Sequence, residues 1–328
     1  MSNCEISIGR TTLKNPIICG SGEHVMTEAG LRSALDSGAA AVIAKSVNET
    51  QAAKDQLDRT DYALLDGSWN RLAWDFKAPR DATLACRSGL QTMDFEDWLE
   101  IVARLDGEAA KTGQYIIGSV ILADLDAALD MAKKIEAAGV RVLEFNIGTP
   151  YGDEASGVVS TERATERVTE IIRAVCDVVD IPVWAKITGQ SENVAALAHA
   201  ARDGGAEAVV LMGRFLAMIP ELDTQEPLLG TNLGTGGGWA LPMTCYWLSK
   251  SRAALGADAP LIGMNGARDG DDVLRMMLAG AHAVELSTAV FTNGFDVLAD
   301  AVSTVETYLS QRKENAVDIT GRAADRVV

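Results

Sequence analysis

No two cysteines of this chain stand close enough in sequence to make a CxxC pair. Cys4, Cys19, Cys86, Cys176 and Cys245 are scattered over 328 residues, which argues against a zinc or iron–sulfur site built from this chain and fits a reducing compartment. Histidine is scarcer, with only His24, His199 and His282. No HExxH or Ser-His-Asp set is visible, so zinc-peptidase and triad-hydrolase chemistry lack their residues. Positive charge is in deficit: 29 Lys and Arg face 46 Asp and Glu, a net charge of −17. A basic face for nucleic acid or an anionic membrane is therefore missing. No apolar run approaches the ~18 residues of a membrane span. The N-terminus has neither the basic nor the apolar region of a secretory signal. The expectation is a cytoplasmic protein with a small-molecule substrate, no resident metal, and neither a nucleic acid nor a membrane as partner.

What is present is a repeated unit. Ser37-Gly-Ala-Ala-Ala-Val-Ile-Ala-Lys45, Ala138-Gly-Val-Arg-Val-Leu-Glu-Phe-Asn146, Gly205-Ala-Glu-Ala-Val-Val-Leu-Met212 and Ala279-Gly-Ala-His-Ala-Val-Glu-Leu286 each join a helix end, a glycine suited to a left-handed cap, and a buried strand. Eight strands are predicted: 16–20, 41–45, 115–120, 142–147, 183–187, 208–212, 261–264 and 283–286. Helices are predicted over 27–37, 95–112, 125–138, 161–179, 193–203, 242–254 and 271–278. Eight strand–helix units predict an α/β fold, a (β/α)8 TIM barrel forming a single domain, with a C-terminal tail from about 310. Residues 6–8 and 12–13 read as a hairpin at the barrel bottom. Long loops follow strand 2 (Asn48 to Gln91) and strand 6 (Arg214 to Leu241), on the face where barrels build their sites.

Several residues at that face could carry chemistry. Leu261-Ile-Gly-Met-Asn-Gly-Ala267 and Ala283-Val-Glu-Leu-Ser-Thr-Ala289 are strands ending in small residues. Adjacent turns of this kind, after strands 7 and 8, present backbone N–H groups to a phosphate. The glycine run Gly234-Thr-Gly-Gly-Gly238 ahead of a helix adds to that cradle. Lys45 and Lys186 end apolar strands, where an ammonium can meet a phosphate, a ring carbonyl or a developing anion. Asn146 ends strand 4, followed by a loop with Gly148, Thr149, Pro150, Tyr151 and Gly152. His24 lies at the mouth of strand 1, within reach of a ligand. His199 reads as a surface residue and His282 as a residue of the barrel bottom.

Together these pieces resemble the dihydroorotate dehydrogenase family of FMN-dependent TIM barrels, from about Ile6 to Leu309. Lys14-Asn-Pro-Ile-Ile-Cys-Gly-Ser-Gly22 looks like the family's N-P-x-x-x-A-S-G. Gly38-Ala-Ala-Ala-Val-Ile-Ala-Lys-Ser46 looks like G-A-G-A-x-x-T-K-S, and Arg87-Ser-Gly-Leu90 falls where the family has N-x-x-G-L. Phe145-Asn146 with Thr149-Pro150 looks like N-x-S-C-P-N, and Pro182-Val-Trp-Ala-Lys186 like P-x-x-V-K. Gly236-Gly-Gly238 with Pro242 looks like G-G-x-x-x-x-P, and Gly263 to Thr288 like the closing phosphate segment. No one motif is specific; their order is.

The resemblance implies bound FMN. Gly20, Ser21 and Gly22 would line the flavin, Lys45, Ser46 and Lys186 would meet its ring, and Asn146 would sit between flavin and substrate. Gly237, Gly238, Asn265, Gly266, Ser287 and Thr288 would hold the phosphate. A cationic lysine would stabilise the reduced anionic flavin. Thr149 stands where the family's Cys or Ser base stands and would serve proton transfer together with Tyr151. Tyr151, Arg214 and Cys86 replace ring-binding residues and, with Lys45 and Asn146, would face the substrate. Losing a buried hydrogen-bond partner costs ~1–3 kcal/mol each, so the expected substrate is a dihydropyrimidine-like or related cyclic carboxylate, with Arg214 suited to a carboxylate. The expected reaction moves a hydride between the flavin and a CH–CH bond next to a carbonyl. Competing readings are a Schiff-base lyase on Lys186 and a flavin-binding barrel without catalysis. A homodimer, and a separate electron-transfer subunit as one route for electrons, complete the expectations.

Overall fold

The computed structural model describes residues 3–50, 61–87, 89–148, 164–213, 215–230 and 233–326. In chain order the strands are β1 (Ile6–Ile8), β2 (Thr11–Leu13), β3 (Ile17–Cys19), β4 (Ala41–Ile43), β5 (Asp61–Leu65), β6 (Thr83–Arg87), β7 (Tyr115–Ile121), β8 (Leu143–Asn146), β9 (Val183–Lys186), β10 (Ala208–Leu211), β11 (Phe215–Ala217), β12 (Leu233–Gly237), β13 (Leu261–Met264) and β14 (Ala283–Leu286). β3, β4, β7, β8, β9, β10, β13 and β14 form a closed barrel in that order, β14 pairing back onto β3. All eight pairings are parallel, with registers such as Val284↔Ile17 and Asn146↔Lys186. The expected eight-stranded barrel is present, each strand within two residues of its expected bounds.

The helices are α1 (Glu28–Asp36), α2 (Phe95–Ala109), α3 (Leu125–Ala137), α4 (Thr165–Cys176), α5 (Val194–Asp203), α6 (Leu241–Leu255), α7 (Gly270–Leu278), α8 (Thr288–Asn293), α9 (Asp296–Arg312) and α10 (Ala316–Ile319). Local chemistry sets their ends. Thr27, Asp124, Asn193 and Asp269 accept from the first-turn amides of α1, α3, α5 and α7, filling donors that a helix start leaves open. Gly38, Gly139, Gly205 and Gly280, the glycines of the repeated unit, all have positive φ, between 89° and 122°. Each reverses the chain after a helix in a conformation other residues resist.

β1 and β2 form an antiparallel hairpin. Arg10 at its turn reaches the Asp180 carbonyl at 3.1 Å and Glu207 at 2.7 Å. Both precede the N-terminal ends of barrel strands, so the hairpin caps the bottom as expected. Beyond α9 the chain runs back against α6 and α7. Gly321 N–H donates to the Met277 carbonyl and Arg252 pairs with Asp325 through two nitrogens at 2.8 and 2.9 Å.

The described parts of the two long loops contain strands. β5 and β6 from the first and β11 and β12 from the second make one four-stranded antiparallel sheet, β11-β12-β6-β5. Its small core holds Ala63, Leu65, Ala85, Leu228, Leu229 and Leu233. Strand alternation turns Leu84 and Cys86 the other way, toward the barrel mouth.

Candidate active site

The C-terminal ends of the barrel strands and the accessory sheet enclose a cavity of about 1050 Å³, open on one side. β13 and β14 are neighbours, with Met264 opposite Glu285, so their small-residue turns stand side by side. Asn265 and Gly266 take positive φ, 63° and 116°. A Cβ on Gly266 would lie 2.5 Å from the Leu241 nitrogen, so the turn packs against the start of α6 only as glycine. Ser287 donates its hydroxyl to the Ser21 carbonyl at 3.1 Å, joining the ends of β14 and β3. From above, β12 presses its backbone on the two turns: a Cβ on Gly236 would lie 2.5 Å from Thr288 Oγ1 and 3.3 Å from Asn265 Oδ1.

Of the residues singled out in the sequence, Ser21, Gly22, Lys45, Ser46, Cys86, Asn146, Lys186, Asn265, Gly266, Ser287 and Thr288 all line this cavity. Gly20 lies just behind it, its N–H on the Leu286 carbonyl. Gly237 and Gly238 do not line it. Gly237 is the last residue of β12, paired with Thr83, and both glycines border a neighbouring cavity with Arg80 and Arg268. Thr149, Tyr151 and Arg214 lie outside the described residues. His24 is no free ligand-binding side chain. It is half-buried, edge-on to Phe291, with Nε2 3.0 Å from the Gly20 carbonyl oxygen. Burial is the main cause that pushes its pKa down to about 4, so it stays neutral. His199 pairs with Asp203 on the surface, and His282 Nδ1 accepts from the Leu261 N–H at the barrel bottom.

Both lysines are present and both are paired. Lys45 donates to Glu23 at 3.1 Å. Burial raises the Glu23 pKa, but the Lys45 charge and hydrogen bonds from Lys45 and Tyr62 outweigh it and hold the carboxyl below its ordinary value. Lys186 is clasped by two carboxylates, Glu285 at 2.8 Å and Glu144 at 3.0 Å. Burial pulls the Lys186 pKa down, yet the two carboxylates prevail and raise it. An ammonium so held is a fixed cation, not the free amine that a Schiff base requires. Glu144 also accepts from Ser119 at 3.1 Å, and hydroxyls continue from Ser119 to Ser46 (2.8 Å) and Ser21 (3.3 Å) at the cavity wall.

Sequence reasoning passed over Glu23, Ser119, Glu144 and Glu285. For two of them a signal existed: Val142-Leu-Glu-Phe and Ala283-Val-Glu-Leu place a carboxylate within an apolar strand, and a buried charge demands a partner. Which partner could not be read, because Glu144, Lys186 and Glu285 come from three strands. Two polar groups remain unsatisfied at the cavity among the described residues: both amide atoms of Asn265, and Glu285 Oε1. In the same set no cluster of His, Cys, Asp and Glu could hold a metal ion, and no helix is long and apolar enough to cross a membrane.

The family model for dihydroorotate dehydrogenase matches residues 76–309. The catalytic subunit of dihydroorotate dehydrogenase B (NAD(+)) from Methanocaldococcus jannaschii is 26% identical over 316 residues, 94% of each chain. Its counterpart from Methanocella arvoryzae is 28% identical over 324 residues, covering 98% of this chain and 97% of the relative. Dihydroorotate dehydrogenase A (fumarate) from Lactobacillus helveticus is 33% identical over 168 residues, about half of each chain: 51% of this one and 53% of the relative.

Proposed function

The chain belongs to the dihydroorotate dehydrogenase family, and from that premise we propose that it is an FMN-dependent oxidoreductase acting on a CH–CH bond next to a carbonyl. The substrate proposed is a dihydropyrimidine-like or related cyclic carboxylate, dihydroorotate among them. The observation that carries this reading is one cavity that joins two unlike halves. At one end stand two small-residue turns with an unsatisfied amide, Asn265. At the other stands a buried cation, Lys186, beside Asn146 and Lys45.

The residues present fit FMN. Asn265, Gly266, Ser287 and Thr288 would hold its phosphate, with backbone N–H groups as donors and no side chain at Gly236 to obstruct it. Lys186 and Lys45 would meet the ring, and Ser21, Gly22 and Ser46 would flank it. FMN supplies the hydride acceptor that no side chain of this chain offers. The protein's own part is to bind, orient and exclude water. Asn146 accepts the Gly148 N–H through Oδ1 at 3.0 Å, which fixes its amide and leaves the NH₂ to donate to a ligand. Leu84, Leu90, Ile121 and Phe291 give the cavity apolar walls. Thr149 with Tyr151 is proposed for the proton step and Arg214 for a substrate carboxylate. Cys86 stands on the β6 wall of the cavity, and with Lys45 and Asn146 is proposed to face the substrate.

Electrons leaving the flavin are proposed to pass to a separate subunit. Support comes from the relatives named as catalytic subunits. A homodimer remains the proposed assembly. The test is direct. Purified protein mixed with FMN should turn yellow, and anaerobic addition of dihydroorotate or another cyclic dihydro acid should bleach it. A protein that stays colourless overturns the flavin reading. A yellow protein that no member of a dihydropyrimidine panel bleaches overturns the substrate class and favours a binding barrel without catalysis.

A further inference from the structure

Glu285 rests on the cavity floor with its side chain fully buried. Its Oε2 accepts from Lys186, and its Oε1 has no hydrogen-bond partner among the described residues. Glu144 is better served: Oε1 accepts from the Ser119 hydroxyl and Oε2 from Lys186. The groups packed around Glu285 can be named strand by strand. β3 supplies Cys19, whose thiol pKa is raised, first by burial and then by the Glu285 charge. β8 supplies Glu144, β9 supplies Lys186, and β13 places uncharged Met264 opposite. The other charged pair of the cavity, Lys45 with Glu23, is internally balanced. Two carboxylates thus share one ammonium, and all three side chains are almost wholly buried. Ionising both leaves an uncompensated buried charge, and a single proton removes it. The carboxyl with fewer donors is the one to carry that proton.

Resting on the flavin reading above, we propose that Glu285 holds this proton in the resting protein, and that its ionisation couples proton uptake to reduction of a flavin in this cavity. The direction is set by burial first and the Glu144 charge second; against the opposing Lys186, they push the Glu285 pKa up to about 8. With Glu285 protonated, two-electron reduction of a bound flavin to its anionic form would draw one proton from solution and leave Glu285 unchanged. With Glu285 ionised, the same reduction would draw a second proton, which the Glu285 carboxylate would take up. The sum is then FMN, Glu285 carboxylate, two electrons and two protons giving reduced anionic flavin and Glu285 carboxylic acid. The electrons come from substrate or an added reductant, and no bond to carbon changes at Glu285. Ser119, bonded to Glu144 and to Ser46, offers hydroxyls that lead from this triad to the cavity wall.

Two measurements test the proposal. The first is the midpoint potential of the FMN-loaded protein, titrated with dithionite and redox dyes between about pH 6 and 10. The potential should fall by about 30 mV per pH unit at the acid end, the two-electron equivalent of a tenfold change, and by about twice that just above pH 8. Glu285→Gln should keep the shallow slope throughout. A single slope in the unaltered protein overturns the proposal. The second measurement needs no cofactor. Infrared spectra should carry a protonated-carboxyl band that disappears as pH rises through about 8. The band should be missing in Glu285→Gln and should disappear at lower pH in Glu144→Gln, where the competing carboxylate is gone. A yellow protein without the band overturns the inference and leaves the functional reading intact. A protein that takes up no FMN overturns the functional reading, and the infrared band alone then decides whether Glu285 carries the proton.

Discussion

Glu285 and Lys186 touch, and both lose stability as pH rises, but in different windows. A carboxyl raised in the folded state keeps its proton where the unfolded chain, with an ordinary value near ~4.3, has released it. The unfolded state then binds fewer protons, so stability falls as pH climbs from the unfolded value through about 8. Lys186, raised by its partners, contributes stability that is fully present below its ordinary value and is lost only as pH rises through its folded one. Urea midpoints measured from acid to mildly alkaline pH should therefore show Glu285→Gln gaining on the unaltered protein across that window and levelling off above it. An unchanging difference would contradict a raised Glu285. Asn265 makes a different prediction. Both its amide atoms lack partners in the described structure, so Asn265→Ala should unfold at nearly the same denaturant concentration. It should nonetheless bind FMN more weakly by ~1–3 kcal/mol, the usual loss of a buried hydrogen bond, readable by flavin fluorescence titration.

At the scale of elements, the site is a joint between barrel and accessory sheet. β12 lies on the turns after β13 and β14, and Gly266 is wedged under the first residues of α6. Gly266→Ala meets both a backbone collision and a positive φ, strain on the order of 1–3 kcal/mol. The expected outcome is a lower thermal midpoint together with weakened FMN binding, since the turn that must open is the one proposed to hold the phosphate. The accessory sheet was not legible in advance. Tyr62-Ala-Leu-Leu65 and Thr83-Leu-Ala-Cys86 are short apolar runs, but their partners include β12, far along the chain, and pairing at such separation leaves no local trace. The glycine run around Gly236 was visible, yet one composition serves a loop over an anion or a strand pressed on a turn. Here Gly234 to Gly237 lie in the strand.

For the whole molecule, a ligand that binds only the folded state stabilises it by mass action, about 2.7 kcal/mol at a hundredfold excess over Kd. Added FMN should raise the thermal midpoint of the intact protein progressively with concentration, and riboflavin, without the phosphate, should raise it less. Equal shifts would argue against the two turns as a phosphate site. What the amino-acid order alone determined was the barrel: capping glycines at Gly38, Gly139, Gly205 and Gly280, each followed by a buried strand, are local signals, and local signals survive in sequence. The resemblance of its motifs then pointed to the family and to about half of the cavity's lining. What only the tertiary structure decided was charge. Lys186 reads in sequence as a lone cation. Closure of the barrel brings Glu144 and Glu285 to it from separate strands, because only a closed sheet sets those strand positions facing one another across the barrel interior.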